Sequence, residues 1–376
     1  MFKQASLAFA ALLALNAAGA AQTDAPPPPV TSSSADQALA ARTCELPKIA
    51  DTAPLQPVTN SNLMTVPVAI NGTAKQFLLD IGLKRPTQVS PELMAELSLP
   101  EDVKRTELLQ FGPGSFNAPY LGLQVPIYDV RNGGGGDGAN TRVRVSSFGI
   151  GNATDHHLEM IVTKKGEIGR SAPYDGFLSG DFLRKYDVEL DFAGKQMTWL
   201  TPTSCTDPNQ VVFWAHRDVA ILPVSLAKDG RLQMQAMVRG HAINAEIDTS
   251  SPRTVMRRDI AELYVGLQSK DMIPEGDLQD GMHLPIYVSV FPELVFAGGS
   301  VTAVNVPVRI QTYSMRTAND RDLNSHMRGV IGNSLVDADR IPDLSIGMDV
   351  LKHLHMYVVP GQAKVYVTAA EAPQGP

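Results

Sequence analysis

The sequence predicts a mainly β protein made of two similar lobes. Its clearest feature is a repeated motif in which a strand, a tight turn and a second strand lead to an aspartate, first Asp80 and then Asp248. A second aspartate block follows each motif by 101 residues, at Asp181 and Asp349. Both kinds of landmark recur at an offset of 168 residues, which indicates an internal repeat of domain size. Short alternating strands with one short helix per lobe support the same class.

Length and composition limit the function classes. A chain of 376 residues has room for two domains, each with its own core. The apolar fraction of 44% and the charged fraction of 19% are typical of a globular protein. The net charge is −7 and basic residues form no long run. This balance argues against nucleic acid or an anionic membrane surface as a partner.

The N-terminus has the pattern of an export signal. Lys3 gives a positive start, residues 5–15 form a short apolar run, and residues 18–21 are small enough for cleavage. An uncleaved anchor is the alternative, but the run is too short for a spanning helix. We therefore predict a signal peptide at 1–21 and an exported protein, periplasmic or secreted, with no membrane span after cleavage.

Residues 22–57 are predicted to be a linker and N-terminal arm, because the stretch is rich in Pro and Ser. The two cysteines of the chain are Cys44, after the linker, and Cys205, after the first lobe. In an exported chain a disulfide between them is the favoured interpretation, and two unrelated thiols are the alternative.

The first lobe is predicted at 58–205. A helix follows the Asp80 hairpin, because Ser90 is a good N-cap, Pro91 suits the first helical position, and apolar residues share one face. The rest of the pattern predicts a hairpin tip at 111–116, strands at 123–128, 141–150 and 157–163, and a closing hairpin at 187–200.

The second lobe is predicted at 206–370, with a short tail at 371–376. It repeats the plan around the Asp248 hairpin. The pattern predicts a leading strand at 222–226, a helix at 259–263, a hairpin tip at 273–277, a strand at 284–287 and a closing hairpin at 356–367.

This pattern resembles the retropepsin-like aspartic proteases. It is more closely similar to exported bacterial proteins that carry this fold twice in one chain. The resemblance rests on D-I-G at 80–82, D-T-S at 248–250, S-P-E-L at 90–93 and I-G-M-D-V-L at 346–351. It covers nearly all of both lobes, and implies two closed β-barrels with one short helix each, related by a pseudo-two-fold axis.

The resemblance implies that Asp80 and Asp248 form a catalytic dyad. Two carboxylates in contact share a proton, because like charges that close cannot both ionise. One carboxylate then acts as a base on a bound water, and the other donates to the scissile carbonyl. The alternative for an isolated aspartate at the end of a strand is a turn-capping role.

The residues after each aspartate are expected to support the dyad: Ile81 and Gly82 in the first lobe, Thr249 and Ser250 in the second. By resemblance, the Thr249 hydroxyl ties its loop to the opposite lobe. Ile81 has no hydroxyl, so the matching tie from the first lobe cannot form.

By resemblance, glycine-containing hairpin tips close over the substrate, with Gly112, Gly114 and Gly276 as candidates. The substrate is expected to be a peptide or protein held extended by strand addition. We expect no cofactor and no metal. Because both half-sites lie in one chain, we expect a monomer.

The sequence departs from the family pattern mainly in the first lobe. Ser179 stands where the second block has Gly347, and Lys84 follows the first motif, where a cation would oppose proton sharing by Asp80. Two functions therefore remain open. One is an aspartic endopeptidase, and the other is a non-catalytic relative that binds an extended peptide or a protein partner in the cleft.

Overall fold

The computed structural model describes the residues 44–81, 87–101, 116–117, 124–125, 141–163, 168–169, 171–180, 186–214, 219–226, 231–277, 284–312, 315–316, 336–337 and 342–370. The predicted signal peptide, residues 22–43, the tail at 371–376, and Gly82, Gly112 and Gly114 lie outside these ranges. Within them, no helix is long and apolar enough to cross a membrane.

The described elements are mainly strands, as the sequence predicted. The strands up to residue 200 are β1 (Ile49–Pro54), β2 (Gln56–Pro57), β3 (Met64–Ile70), β4 (Thr73–Asp80), β5 (Gln88–Val89), β6 (Phe116–Asn117), β7 (Gln124–Val125), β8 (Arg142–Ile150), β9 (Ala153–Val162), β10 (Gly176–Ser179), β11 (Asp187–Asp191) and β12 (Gln196–Leu200). The later strands are β13 (Ala220–Pro223), β14 (Ser225–Leu226), β15 (Leu232–Val238), β16 (His241–Ile247), β17 (Val255–Arg257), β18 (Ile273–Asp277), β19 (Pro285–Phe296), β20 (Thr302–Gln311), β21 (Met315–Arg316), β22 (Val336–Asp337), β23 (Leu344–Ile346), β24 (Leu354–Val359) and β25 (Lys364–Ala369). The helices are α1 (Pro91–Glu96), α2 (Pro208–Val211), α3 (Arg258–Leu263) and α4 (Met348–Leu351), with 3₁₀ turns at Ser269–Asp271 and Pro360–Gln362.

A closed barrel of six strands forms the first lobe. Its strand order is β3-β4-β10-β5-β9-β8, and β8 closes the barrel by pairing with β3. Val66, Val68 and Ile70 alternate along β3 and are buried in the core, as the period of a half-buried strand requires. Phe77 and Phe148 pack inside the barrel with ring centroids 5.9 Å apart.

The second lobe is a barrel of the same construction. The order β15-β16-β23-β17-β20-β19 closes through the pairing of β15 with β19. Equivalent strand pairs have the same direction and register: Gly176 lies opposite Phe77 in the first lobe, and Leu344 lies opposite Ala245 in the second. Each member of the second pair follows its counterpart by 168 residues, so the predicted internal repeat is confirmed in three dimensions.

A six-stranded sheet of order β1-β12-β11-β24-β25-β13 joins the two lobes. Its centre is the antiparallel pair of β11 and β24, in which Val188 lies opposite Val358 and Leu190 lies opposite Met356. The 168-residue offset relates Val188 to Met356 and Leu190 to Val358, so it maps each of these two pairs onto the other. The local two-fold axis therefore passes between Glu189 and Tyr357, which lie opposite each other and are also 168 residues apart. The predicted closing hairpins are both present, as β11–β12 and β24–β25.

The predicted helices are present. Helix α1 begins after Ser90, whose hydroxyl accepts a hydrogen bond from Leu93 N at 3.0 Å, and Pro91 occupies the first turn. Helix α3 takes the equivalent place in the second lobe.

Two sequence expectations differ from the observed elements. The leading strand predicted at 222–226 divides into β13 and β14, which belong to different sheets because the chain leaves the central sheet for the second barrel. The predicted hairpin tip at 273–277 is strand β18, with a bulge at Glu275 between the pairs Pro274–Tyr287 and Gly276–Ile286.

Cys44 and Cys205 form the predicted disulfide, which links positions 161 residues apart. Cys205 is buried beside Val211, Val212 and Tyr366, on the face of the central sheet that α2 covers. The disulfide therefore fixes the chain entering the first lobe to the segment that connects the lobes.

Replacing both cysteines, Cys44→Ala with Cys205→Ala, is expected to lower the free energy of unfolding by about 3 kcal/mol, because the unfolded chain regains the entropy of a long open loop. Urea denaturation of the variant and of the wild type, with and without reductant, measures this loss. Equal stability of the oxidised wild type and the variant would contradict it.

Asp187 begins the central strand β11 and is 2% exposed. Its Oδ2 accepts hydrogen bonds from Thr203 N at 2.8 Å and from the Tyr357 hydroxyl at 3.3 Å. Burial raises the pKa of Asp187 to about 6, against the opposing effect of these two donors. Nearby on the same sheet, His355 bonds Glu189 at 2.8 Å and stacks on Trp214.

This raised pKa gives a pH dependence with a defined sign. A folded state that binds the Asp187 proton more tightly than the unfolded chain gains stability below about pH 4 and loses it as the pH rises through about 6. Asp187→Asn is expected to remove this slope, which is on the order of 2 kcal/mol between pH 4 and 7. Urea denaturation of both proteins at each pH measures it, and parallel pH profiles would refute the assignment.

Candidate active site

Each candidate aspartate stands at the end of a β-hairpin. The two turns are equivalent: Asn71 and Gly72 have φ of 50° and 80°, and Arg239 and Gly240 have φ of 48° and 83°. Two successive residues with positive φ are the geometry of a tight hairpin turn that matches strand twist. The turns therefore set the register that brings Asp80 to the end of β4 and Asp248 just beyond β16.

A parallel strand lies beside each aspartate. In the first lobe, Ser179 of β10 is the register partner of Asp80. In the second, Asp248 N donates to Ile346 O of β23 at 3.0 Å. The two aspartates thus occupy equivalent places in the two barrels.

Thr249 joins the two loops. Its hydroxyl donates to Leu79 O at 2.8 Å and accepts from Ile81 N at 3.0 Å, and the side chain is 1% exposed. Leu79 and Ile81 flank Asp80 in the chain, and Thr249 directly follows Asp248. The Thr249 hydroxyl therefore links the residue next to Asp248 to the main chain on both sides of Asp80.

The Asp248 carboxylate accepts four hydrogen bonds. Oδ1 accepts from Ser250 N at 3.0 Å, Ser250 Oγ at 2.8 Å and Ser251 N at 3.1 Å. Oδ2 accepts from Ser345 Oγ at 2.9 Å. Ser250, which stands where the first motif has Gly82, thus adds a hydroxyl donor to the loop.

Among the described residues, two aromatic side chains lie close to Asp80. Asp80 is 3% exposed, and Phe177 occupies the place in β10 that Ser345 has in β23. The Tyr174 ring packs on Phe177 with centroids 5.8 Å apart. Burial, and secondarily the negative charge of Asp80, raise the pKa of the Tyr174 phenol. Tyr174 thus belongs to the site, although no motif in the sequence identified it.

The second aspartate of the repeat, Asp349, lies on α4 and accepts from Thr254 Oγ1 at 2.7 Å, while Gly347 N donates to the same hydroxyl at 3.1 Å. A Cβ at Gly347 would lie 2.3 Å from Arg253 O, so this position needs glycine. Asp349 therefore supports the loop that follows Asp248. Its counterpart Asp181 lies outside the described residues.

The three glycines proposed for hairpin tips over the substrate lie partly outside the described residues. Gly112 and Gly114 lie outside the described residues. Gly276 has φ of 134° and lies in β18, close to the end of the β18–β19 hairpin. Within the described ranges, no three His, Cys, Asp or Glu side chains form a set that could hold a metal ion.

Comparison with known proteins gives distant likenesses. No family model and no curated protein matches the chain. Among solved structures, it is similar to conglutin gamma, a basic 7S globulin from lupine seeds, with 11% identity and a TM-score of 0.45 over 86% of this chain and 95% of the other. The basic 7S globulin from soybean is similar at 10% identity and a TM-score of 0.43, over 85% and 94%. A retropepsin-like aspartic protease from Rickettsia conorii is similar at 11% identity and a TM-score of 0.28, over 40% and 90%.

Proposed function

We propose that the protein is an exported aspartic-type endopeptidase that hydrolyses peptide bonds with Asp80, Asp248 and an activated water. The carrying observation is the Thr249 hydroxyl, which bonds the main chain on both sides of Asp80 while its own residue follows Asp248. This arrangement supports a site to which each lobe contributes one carboxylate. The leader-like N-terminus and the disulfide support export.

In the proposed mechanism the two carboxyl groups share one proton. Asp248, which accepts four hydrogen bonds, suits the role of the ionised base that takes a proton from the attacking water. Asp80, near Phe177 and Tyr174, donates a proton to the carbonyl oxygen of the scissile bond. The water oxygen bonds to the carbonyl carbon and gives a tetrahedral intermediate. As the C–N bond breaks, Asp248 passes its proton to the leaving amine, and Asp80 takes back a proton from a hydroxyl of the intermediate, so that the pair again holds one proton. Because one chain supplies both groups, the mechanism requires no second subunit.

A second candidate function is a non-catalytic protein that binds an extended peptide or a protein partner in the inter-lobe cleft. It is supported by Ile81, which is 1% exposed and offers only its backbone N–H to the tie. It is also supported by Phe177, which supplies a ring where the second lobe supplies the Ser345 hydroxyl.

The test is cleavage of a broad peptide library by the mature protein across pH about 3.5 to 7.5, where a shared-proton dyad should work. The proposal expects cleavage that a statine-type inhibitor blocks, since such compounds imitate the tetrahedral intermediate. Folded protein without cleavage at any pH would reject the enzyme and favour the binding protein. Cleavage that resists the inhibitor would indicate another mechanism.

A further inference from the structure

Three charged side chains form a cluster beside the second-lobe aspartate. One oxygen of Glu275, on β18, bonds Arg253, and its other oxygen accepts from Arg309 Nε at 2.9 Å. The side chains of Arg253 and Arg309 are 49% and 31% exposed, and that of Glu275 is 26% exposed. Two guanidinium groups thus share one carboxylate, and much of each remains accessible to solvent.

The sheet register places Arg309 on the same face as Asp248. Ser345 is the register partner of Val255, and Val255 is the partner of Arg309, so their side chains share one face of the barrel. Ser345 donates to Asp248 from this face. Two strand spacings, about 10 Å, separate Ser345 from Arg309, which is about three residues of an extended peptide.

Arg253 reaches the same place from the loop after Asp248. Ser251 connects the two: its N–H donates to Asp248 Oδ1 at 3.1 Å, and its hydroxyl donates to Arg253 O at 2.5 Å. Arg253 and Arg309 therefore meet at Glu275 from two different elements, and both elements are joined to the Asp248 site.

The first lobe has no charge at the position equivalent to Arg309. There Phe177 is the partner of Gln88, and Gln88 is the partner of Ile161, so an isoleucine stands where the second lobe has Arg309. The two lobes therefore differ at this position, and the second-lobe cluster carries a net charge of +1 from two arginines and one glutamate.

We propose that Arg253 and Arg309, bridged by Glu275, form a subsite that selects an Asp or Glu side chain of the peptide substrate, within about three residues of the scissile bond. This inference rests on the proposed function. Each guanidinium has five N–H donors in a planar fork that matches a carboxylate, and Glu275 occupies only part of them. Glu275 orients both forks, and an incoming carboxylate balances the excess positive charge.

The test measures binding separately from cleavage. Fluorescein-labelled extended peptides carry either Glu or Gln at each position in turn, and their affinity for the full chain with Asp80→Asn is measured by fluorescence anisotropy. We expect one position at which Glu binds about tenfold tighter than Gln, with a preference that shrinks as salt is raised. Arg253→Met and Arg309→Met should each reduce this preference without weakening the Gln peptides.

Matched variants separate this role from a structural one. Arg258→Met removes an arginine that pairs with Glu262 on α3, and the preference should be unchanged. Glu275→Gln should keep or strengthen the preference, whereas a purely structural cluster would only lose stability. Arg253→Gln and Arg309→Gln repeat the test if a Met variant does not fold.

The outcomes distinguish this proposal from the proposed function. Acidic preference without any cleavage supports the subsite and rejects catalysis. Cleavage or binding without acidic preference, or a preference that survives loss of both arginines, overturns the subsite. Absence of binding by every peptide overturns it as well.

Discussion

Asp80→Asn and Asp248→Asn are each expected to lower kcat for peptide hydrolysis by about 100- to 10,000-fold, the usual contribution of a positioned acid or base. An amide keeps the size of the carboxyl group. It is too weak a base to take the proton from water and too weak an acid to protonate the carbonyl oxygen. Initial rates on the best library peptide, at the pH optimum of the wild type, measure the loss. The double variant should be little worse than either single one, because the two groups act as a unit.

Asp191→Asn is the matched control, because Asp191 lies at the end of β11 outside both motifs, and asparagine keeps the Oδ1 acceptor that Gly194 N reaches at 2.7 Å. Its activity should equal that of the wild type. Thermal unfolding should show that all three variants are folded. Activity that survives in a folded Asp80 or Asp248 variant would remove the dyad from the mechanism.

Thr249→Val is expected to destabilise the protein by about 4 kcal/mol, at roughly 2 kcal/mol for each buried group left without its partner. Valine matches the shape of threonine but cannot accept from Ile81 N or donate to Leu79 O. Both groups are then buried without a hydrogen bond at the junction of the lobes. Urea denaturation gives the free energy, and the peptide assay should show a parallel loss of activity, because the two aspartates lose their common support.

Thr249→Ser keeps the hydroxyl and should cost far less than Thr249→Val. If serine and valine were equally destabilising, packing of the methyl group rather than the hydrogen bonds would explain the loss. Ile81→Thr is the reverse experiment. By the two-fold symmetry, a hydroxyl at position 81 would have Ile247 O and Thr249 N as its partners, as the Thr249 hydroxyl has Leu79 O and Ile81 N. An increase in activity would show that the missing tie limits the wild type.

The difference between the two lobes has a physical consequence for the site. Asp248 accepts from the hydroxyls of Ser250 and Ser345 and from the backbone N–H of Ser251, whereas Asp80 lies near Phe177 and Tyr174. The departures in the first lobe thus fit an asymmetric dyad as well as a degraded one.

The sequence by itself determined the duplication, the mainly β class, both candidate aspartates and the cysteines of the disulfide. These features could be predicted because they are local or periodic: hairpin turns, strand alternation, a helix cap at Ser90 and a fixed spacing of landmarks. Helices α1 and α3 were predicted to within a few residues for the same reason, whereas the single turns α2 and α4 were not predicted. The sequence assigned Gly276 to a hairpin tip, whereas the structure places it in strand β18 next to a bulge. A glycine is compatible with both, so the sequence could not distinguish them.

Only the tertiary structure decided which groups surround the aspartates. Ser345 is 97 residues from Asp248, and Ile81 is 168 residues from Thr249, yet both pairs are hydrogen bonded. Tyr174 beside Asp80, and Arg309 beside Glu275 and Arg253, depend likewise on strand register. Such contacts are set when the barrels close and the hydrophobic core fixes how strands align, and no local pattern in the chain encodes which polar side chains will then meet.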